Sequence, residues 1–581
     1  MKPVSLQQAR IRAENELEVL FRQQQEFRRR SYPEMATYDG DHRFDDRLTD
    51  LSHEAAEMRC QKHRGFLRQL RKLGPALLGP ESQLNYRLFE QLLSEEIRHH
   101  ELGLDLMGID QQEGMHLRFP QLVEVQPLDS YEHYQQYFSR LRSFEKQVED
   151  TLANLRLGLS RGLVLPFSVV SQSLIQMQQL AGCALEQMPL YQPVLRAAAA
   201  LPEALAAKVA EMARRLIQES VQPAYARLQA FVHNEYLPRC RSVDGIWGLP
   251  QGQEIYSYWI ERHTCPGLSA EEIHQQGLAE VERLLDQLPP LQRKLGLPAE
   301  LGALQAALRS RTEYYYQEPQ AMMADYQSML DQAQSLLPRL FHALPKSRCV
   351  LREIEAWRAA AAPQAYYYPP PQNLSRPGVF YVNTHDLAAR PRYSMMALTL
   401  HEAVPGHHLQ LARALEIPQQ PEFRYHLEAT AFVEGWALYA EALGHPLGLY
   451  EDPLQALGAL SFELWRACRL VVDTGLHALG WSRQQAVDYF RQHTLQAETD
   501  IQSEIDRYLS LPGQALAYKI GELKIWQLRR DAERQLGKQF DLGLFHEALL
   551  DQGSLPLGQL EQTIGSWIES QRPEKVVSAG W

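Results

Sequence analysis

Apolar residues recur at three- and four-residue spacing through most of this chain, and runs that alternate apolar with polar residues are few. That periodicity commits the chain to helices packed on helices, and the fold class expected is mainly α, a large multi-helix protein. Helices are predicted over 5–30, 45–73, 82–103, 128–158, 193–233 and 269–286. Breaks fall where proline or glycine forbids continuation, as at Leu73-Gly74-Pro75 and Gly79-Pro80. No internal repeat and no linker rich in Gly, Ser or Pro separates parts of the 581 residues, so one lobed unit over 1–581 is expected. Within it, residues 1–340 read as a helical scaffold lobe and 341–581 as the lobe that carries the chemistry.

Composition narrows the function classes. Hydrophobic residues make up 45% of the chain, enough for a large core. The formal net charge is -12, and the short run Arg28, Arg29, Arg30 is not a basic block, so nucleic acid is not an expected partner. The first 30 residues lack the apolar core of a secretion signal, and no window approaches the roughly 20 apolar residues that cross a bilayer. Cys60, Cys183, Cys240, Cys265, Cys349 and Cys468 are widely spaced with no CxxC pair, and read as reduced thiols. The expectation is a cytoplasmic protein without a membrane partner.

The texture changes between about 345 and 390. Cys349–Ile354 and Gly378–Asn383 are short, β-prone and bounded by breakers, which predicts a small sheet interrupting the helices. Between them, Tyr366-Tyr367-Tyr368-Pro369-Pro370-Pro371 reads as an extended, polyproline-like connector or a cleft wall, since proline supplies no ladder N–H.

The chemistry concentrates in Leu400-His401-Glu402-Ala403-Val404-Pro405-Gly406-His407-His408. In the H-E-x-x-H motif, two histidines one helical turn apart bind zinc, and the glutamate takes a proton from the attacking water. Here Pro405 stands where the second histidine would be. Pro405 removes a helical hydrogen bond and Gly406 tolerates unusual dihedrals, so an opening of the helix can bring His407 back to the face of His401. His408, seven positions from His401, shares its face on an unbroken helix but lies about 10 Å along it. His407 is the preferred ligand and His408 the alternative. The third ligand is read as Glu434, in Phe432-Val433-Glu434-Gly435-Trp436, because a carboxylate among apolar neighbours is costly unless paired or bound to a cation. Glu428 and Glu441 read as supporting or solvated groups, and Gly435 as a point of close backbone approach. Arg469, Asp473 and His477 form a polar stripe on an otherwise apolar helix, which either pairs with other helices or lines a cleft. Asp473 there can orient a ligand histidine.

The segments His401–Gln410, Phe432–Ala437 and Pro512–Gly521 resemble a large bacterial family of unknown function, DUF885. Gly252–Tyr256, His263-Thr264 and Glu271–His274 resemble it too, so the likeness covers most of the chain. That family looks like a distant relative of the all-helical zinc oligopeptidases with a glutamate third ligand, such as thimet oligopeptidase and angiotensin-converting enzyme. The resemblance implies a two-lobed, zincin-like architecture around a cleft, with a small β-sheet beside the motif helix. It also implies one zinc per chain and short peptides as substrates. It favours Gly406-His407 at the motif's end, and it implies an edge strand that holds the substrate backbone, a place taken here by Gly378, Phe380, Tyr381 and Asn383. Tyr518, in a segment similar to the oligopeptidases' tyrosine-bearing loop, is the expected oxyanion donor, with His477 assisting it.

Three functions follow from these residues. The first is a zinc metallopeptidase with Glu402 as general base. The second is a zinc hydrolase of another amide or an ester. The third is a helical binding protein with a structural metal site, which a fourth ligand such as His408 would favour.

Overall fold

The computed structural model describes residues 5–354, 359, 363–371, 374 and 376–572, and these are mainly helical. Leu6–Ser31, His53–Leu73, Pro80–Glu101, Tyr131–Arg161 and Ala270–Leu285 are helices close to the ranges expected. Their starts are set by local chemistry. Ser52 accepts a hydrogen bond from the Ala55 amide, which delays that helix from the expected 45 to His53, and Ser269 closes a capping box with Glu272. The predicted 193–233 helix is divided, because Leu201 precedes Pro202 and is held extended at φ -121 and ψ 153.

The chain forms two compact units, Met1–Ile255 with Pro421–Phe423, and Tyr256–Gln420 with Arg424–Trp581. The boundary therefore lies at 255/256 in place of the one expected near 340. The reason is packing: the helix Ala270–Leu285 lies so close to the helix Pro453–His477 that a Cβ on Gly277 would sit 2.7 Å from Leu470 Cβ. The first unit is helical, with Phe21, Phe89 and Phe423 in mutual ring contact and Arg140 buried at its centre. All six cysteines are free.

The second unit holds the small sheet: β1 (Cys349–Glu353), β2 (Ala365–Tyr368) and β3 (Gly378–Val382), in the order β1-β3-β2. β1 runs parallel to β3, with Val350 opposite Val379, and β2 runs antiparallel to it, with Tyr367 opposite Phe380. Two expectations are corrected. Tyr366, Tyr367 and Tyr368 are ladder residues of β2, and the chain leaves the sheet only at Pro369, where the N–H is lost. Gly378–Asn383 is not an edge strand. With both edges of β3 already paired, Gly378, Phe380 and Tyr381 have no free backbone edge to offer a substrate, and Asn383 spends its side-chain amide on the Ala359 and Pro363 carbonyls.

Candidate metal centre

The helix Met395–Glu402 is buried along its whole length and ends on His401 and Glu402. The chain turns through Ala403–Gly406, with a cis Val404–Pro405 bond, and a second helix starts at His407. Gly406 makes the return possible: a Cβ there would lie 1.9 Å from the His401 carbonyl oxygen, so no side chain fits. The turn is fastened by the Trp436 indole, which donates to the Pro405 carbonyl at 2.8 Å. Trp436 belongs to the same helix, Thr430–Ala442, that carries Glu434. That helix crosses Ala517–Leu536 at near backbone contact: a Cβ on Gly435 would lie 2.3 Å from Gly521 carbon, and one on Gly521 1.7 Å from the Ala431 carbonyl oxygen. The two glycines let the helices that carry Glu434 and Tyr518 meet, the close approach expected of Gly435.

The result is a convergence of His401, His407 and Glu434, whose ligand atoms all lie within 4.8 Å of one another. Glu434 Oε2 is 3.7 Å from His401 Nε2 and 3.5 Å from His407 Nε2. Donors about 2.0–2.2 Å from a shared zinc ion lie roughly 3.2–3.6 Å apart in tetrahedral geometry, close to these separations. Glu434 Oε2 is buried and accepts no hydrogen bond, so a cation held there would satisfy it. The donor set fits zinc: two imidazoles and a carboxylate, with room in the coordination for water.

His408 is turned away. Its Nδ1 meets the Tyr367 hydroxyl at 2.9 Å and its Nε2 the Ser347 carbonyl at 3.1 Å, and burial holds its pKa down to about 4. It ties the second motif helix to β2, and of the two histidines only His407 faces the cluster. Glu402 is buried, one residue from His401, and its carboxylate takes no hydrogen bond or ion pair among the described residues. Tyr518 lies beside the cluster, its ring 6.4 Å from that of His401 and within 14° of parallel. Burial, then the Glu434 charge, raise its pKa, against the nearby Arg469 and Arg507.

The group that orients His401 is Glu441, two turns beyond Glu434 on the same helix. Its Oε1 is 2.8 Å from His401 Nδ1, which leaves Nε2 for the cluster, and 3.2 Å from Arg466 Nη2. Burial disfavours a charge on His401, but the Glu434 and Glu441 carboxylates more than offset it and lift its pKa to about 9. Burial works against the Glu434 charge as well, and the two histidines still hold it well below the usual carboxylate range.

Asp473 does not orient a metal-binding histidine. Its carboxylate accepts from the Tyr256 hydroxyl at 2.6 Å and the Gly513 amide at 3.0 Å, and burial pushes its pKa up to about 7. It anchors the loop that leads into Tyr518. His477, expected to assist Tyr518, is instead packed against the Tyr256 ring with Nε2 at the Tyr508 carbonyl, 3.0 Å away. Arg469 reaches the helix Glu498–Ser510, with Nε on the Tyr508 hydroxyl and Nη2 on Glu504, and its guanidinium lies 4.2 Å from the Tyr518 ring centre. Sequence reasoning missed Arg466. The signal was present, since the polar stripe of Arg469, Asp473 and His477 continues one turn back to it.

No described helix is long and apolar enough to cross a membrane. No curated protein matches the chain. Among solved structures, a protein of Colwellia psychrerythraea described as a candidate lipoprotein is 26% identical. The match covers 96% of this chain and 99% of that one, with a TM-score of 0.91. A candidate lipoprotein of unknown function from Shewanella oneidensis shares the fold at 19% identity and a TM-score of 0.70, over 96% of this chain and 99% of that one. The family model described as bacterial protein of unknown function, DUF885, matches residues 33–564, including every residue of the His401, His407 and Glu434 cluster, and the chain belongs to that family.

Proposed function

We propose that this chain is a zinc-dependent peptidase that hydrolyses short peptides. The observation that carries the reading is the convergence of His401, His407 and Glu434 beside an unpaired, buried Glu402. His401, His407 and Glu434 would hold the metal, with Glu441 fixing the tautomer of His401. Zinc bound there supplies Lewis acidity toward a carbonyl oxygen and makes water a stronger acid. Glu402 accepts the proton of the attacking water and returns it to the departing amine, a role suited to a carboxylate with no competing partner. Tyr518 donates its hydroxyl hydrogen to the oxygen that gains charge, and its raised pKa keeps that hydrogen in place near neutral pH. β2, an edge strand of the sheet that packs beside the motif helix, is better placed than β3 to pair with an extended peptide.

The test is zinc content by mass spectrometry together with cleavage of a mixed peptide pool. Near one zinc per chain is expected, lost in His401→Ala and in Glu434→Ala. Glu402→Gln is expected to keep the metal and to lose about a thousandfold or more in turnover. Full turnover in Glu402→Gln removes the general base, and failure to bind zinc on reloading removes the whole reading.

A further inference from the structure

Three donor groups remain unspent beside the metal centre. Arg466 is 4% exposed and gives Nη2 to Glu441, yet its Nε and Nη1 are buried without a hydrogen-bond partner. Arg469, also 4% exposed, leaves Nη1 unpartnered, and Trp465 leaves its indole Nε1 buried and unpartnered. The groups are neighbours: the Arg466 and Arg469 guanidinium carbons lie 5.0 and 4.7 Å from the Trp465 ring centre. Leaving such donors unmade costs free energy, and buried guanidinium hydrogens are ordinarily satisfied.

Arg466 pairs with Glu441, while Arg469 and Arg507 share Glu504. A guanidinium fork with an indole N–H beside it suits a planar, singly charged oxyanion. Phe462, whose ring centre lies 4.5 Å from the Arg466 guanidinium, lines a cavity of about 290 Å³ together with Tyr393 and Ser461, one side chain away from these donors.

We propose that Arg466, Arg469 and Trp465 form a carboxylate-binding subsite that holds a substrate carboxylate next to the metal centre. The inference rests on the peptidase reading and narrows its substrates to peptides that present a carboxylate close to the scissile bond. Arg466 touches Glu441, which touches His401. The group bound there is a carboxylate of the peptide. It is the C-terminal carboxylate or an acidic side chain, and the test separates these.

Immobilised, zinc-loaded Glu402→Gln protein is offered three pentapeptide pools, and retention is read by mass spectrometry. The pools are free acids without Asp or Glu, the same sequences as C-terminal amides, and amides that carry one Glu. Free acids are expected to be retained about 30-fold more tightly than amides, in keeping with a charge-assisted hydrogen-bonding pair. Retention of the Glu amides instead assigns the site to a side chain. Adding R466K keeps a cation for Glu441 but removes the planar fork that presents Nε and Nη1, and W465F removes the indole N–H alone. Both are expected to reduce the preference at unchanged zinc content. Equal retention of all pools, or none of any, overturns the subsite. Cleavage by the zinc-loaded wild type without preference for acids leaves the peptidase standing and removes this inference. Acid-selective retention without any cleavage does the reverse.

Discussion

Arg140 in the first unit and Arg466 in the second are equally hidden from water and live in opposite ways. Arg140 donates Nε to the Arg47 carbonyl, Nη1 to Gln126 and Nη2 to Thr37 and the Phe44 carbonyl, with Asp45 3.7 Å away. Arg466 has one carboxylate partner, two aromatic faces and donors left over. Burial pulls the Arg140 pKa down, and the ring of acceptors keeps the charge affordable. The difference separates a guanidinium whose work is to join loops and helices into a core from one held ready for a group the folded chain does not itself contain.

The largest expected effect that tests this contrast is on stability. Arg140→Met should cost about 3–5 kcal/mol in urea unfolding, because it strands Asp45 and several carbonyls in a dry core. Arg466→Met should cost less, about 1–3 kcal/mol, since one pairing is lost and unmade donors go with it. Equal costs would break the comparison. Between these lies the helix crossing at the metal centre: Gly521→Ala forces the Glu434 and Tyr518 helices apart and should cost about 2–3 kcal/mol, with a matching fall in zinc affinity by competitive chelation. Stability loss with unchanged zinc affinity would show that the crossing does not set the site.

The smallest effects are in pH dependence, where the two units are expected to differ in sign. Asp473 in the second unit has a folded pKa near 7, above its unfolded value near 4. Its contribution is complete below about pH 4 and is lost as pH rises to about 7. Asp473→Asn keeps an acceptor for Tyr256 and Gly513, so its stability relative to wild type should be greater at pH 7 than at pH 4.5. His63 in the first unit is held neutral by burial, with a folded pKa near 4 against about 6.5 unfolded. Its contribution is present above about pH 6.5 and declines as pH falls toward 4. His63→Gln should therefore gain on wild type at pH 4.5. Urea unfolding of both variants at the two pH values measures each sign.

The helices were legible because their signal is local: spacing of apolar residues, Ser caps and proline breaks act within a few positions. His401, Glu402 and Glu434 were legible for a related reason, since a motif on one helix and a carboxylate among apolar neighbours are both visible along the chain. The misplaced roles belong to Asp473, His477 and β3. Each depends on which distant partner arrives, Gly513 and Tyr256 for Asp473, the Tyr508 carbonyl for His477, and two flanking strands for Gly378–Val382. Periodicity along the chain says which face a residue occupies and nothing of what packs against it.

By itself, then, the sequence determined that this chain is mainly helical and that proline and glycine interrupt the His401-Glu402 motif, and it singled out His401 and Glu434 as candidate ligands. The partners that turn His408 away, the pairing of Glu441 with His401, and the spare donors of Arg466 were decided only by tertiary structure. The physical reason is steric. The 1.9 Å margin at Gly406 and the near contact of Gly435 with Gly521 are meetings of backbones far apart in sequence or folded back on themselves, and such meetings exist only once the helices have docked.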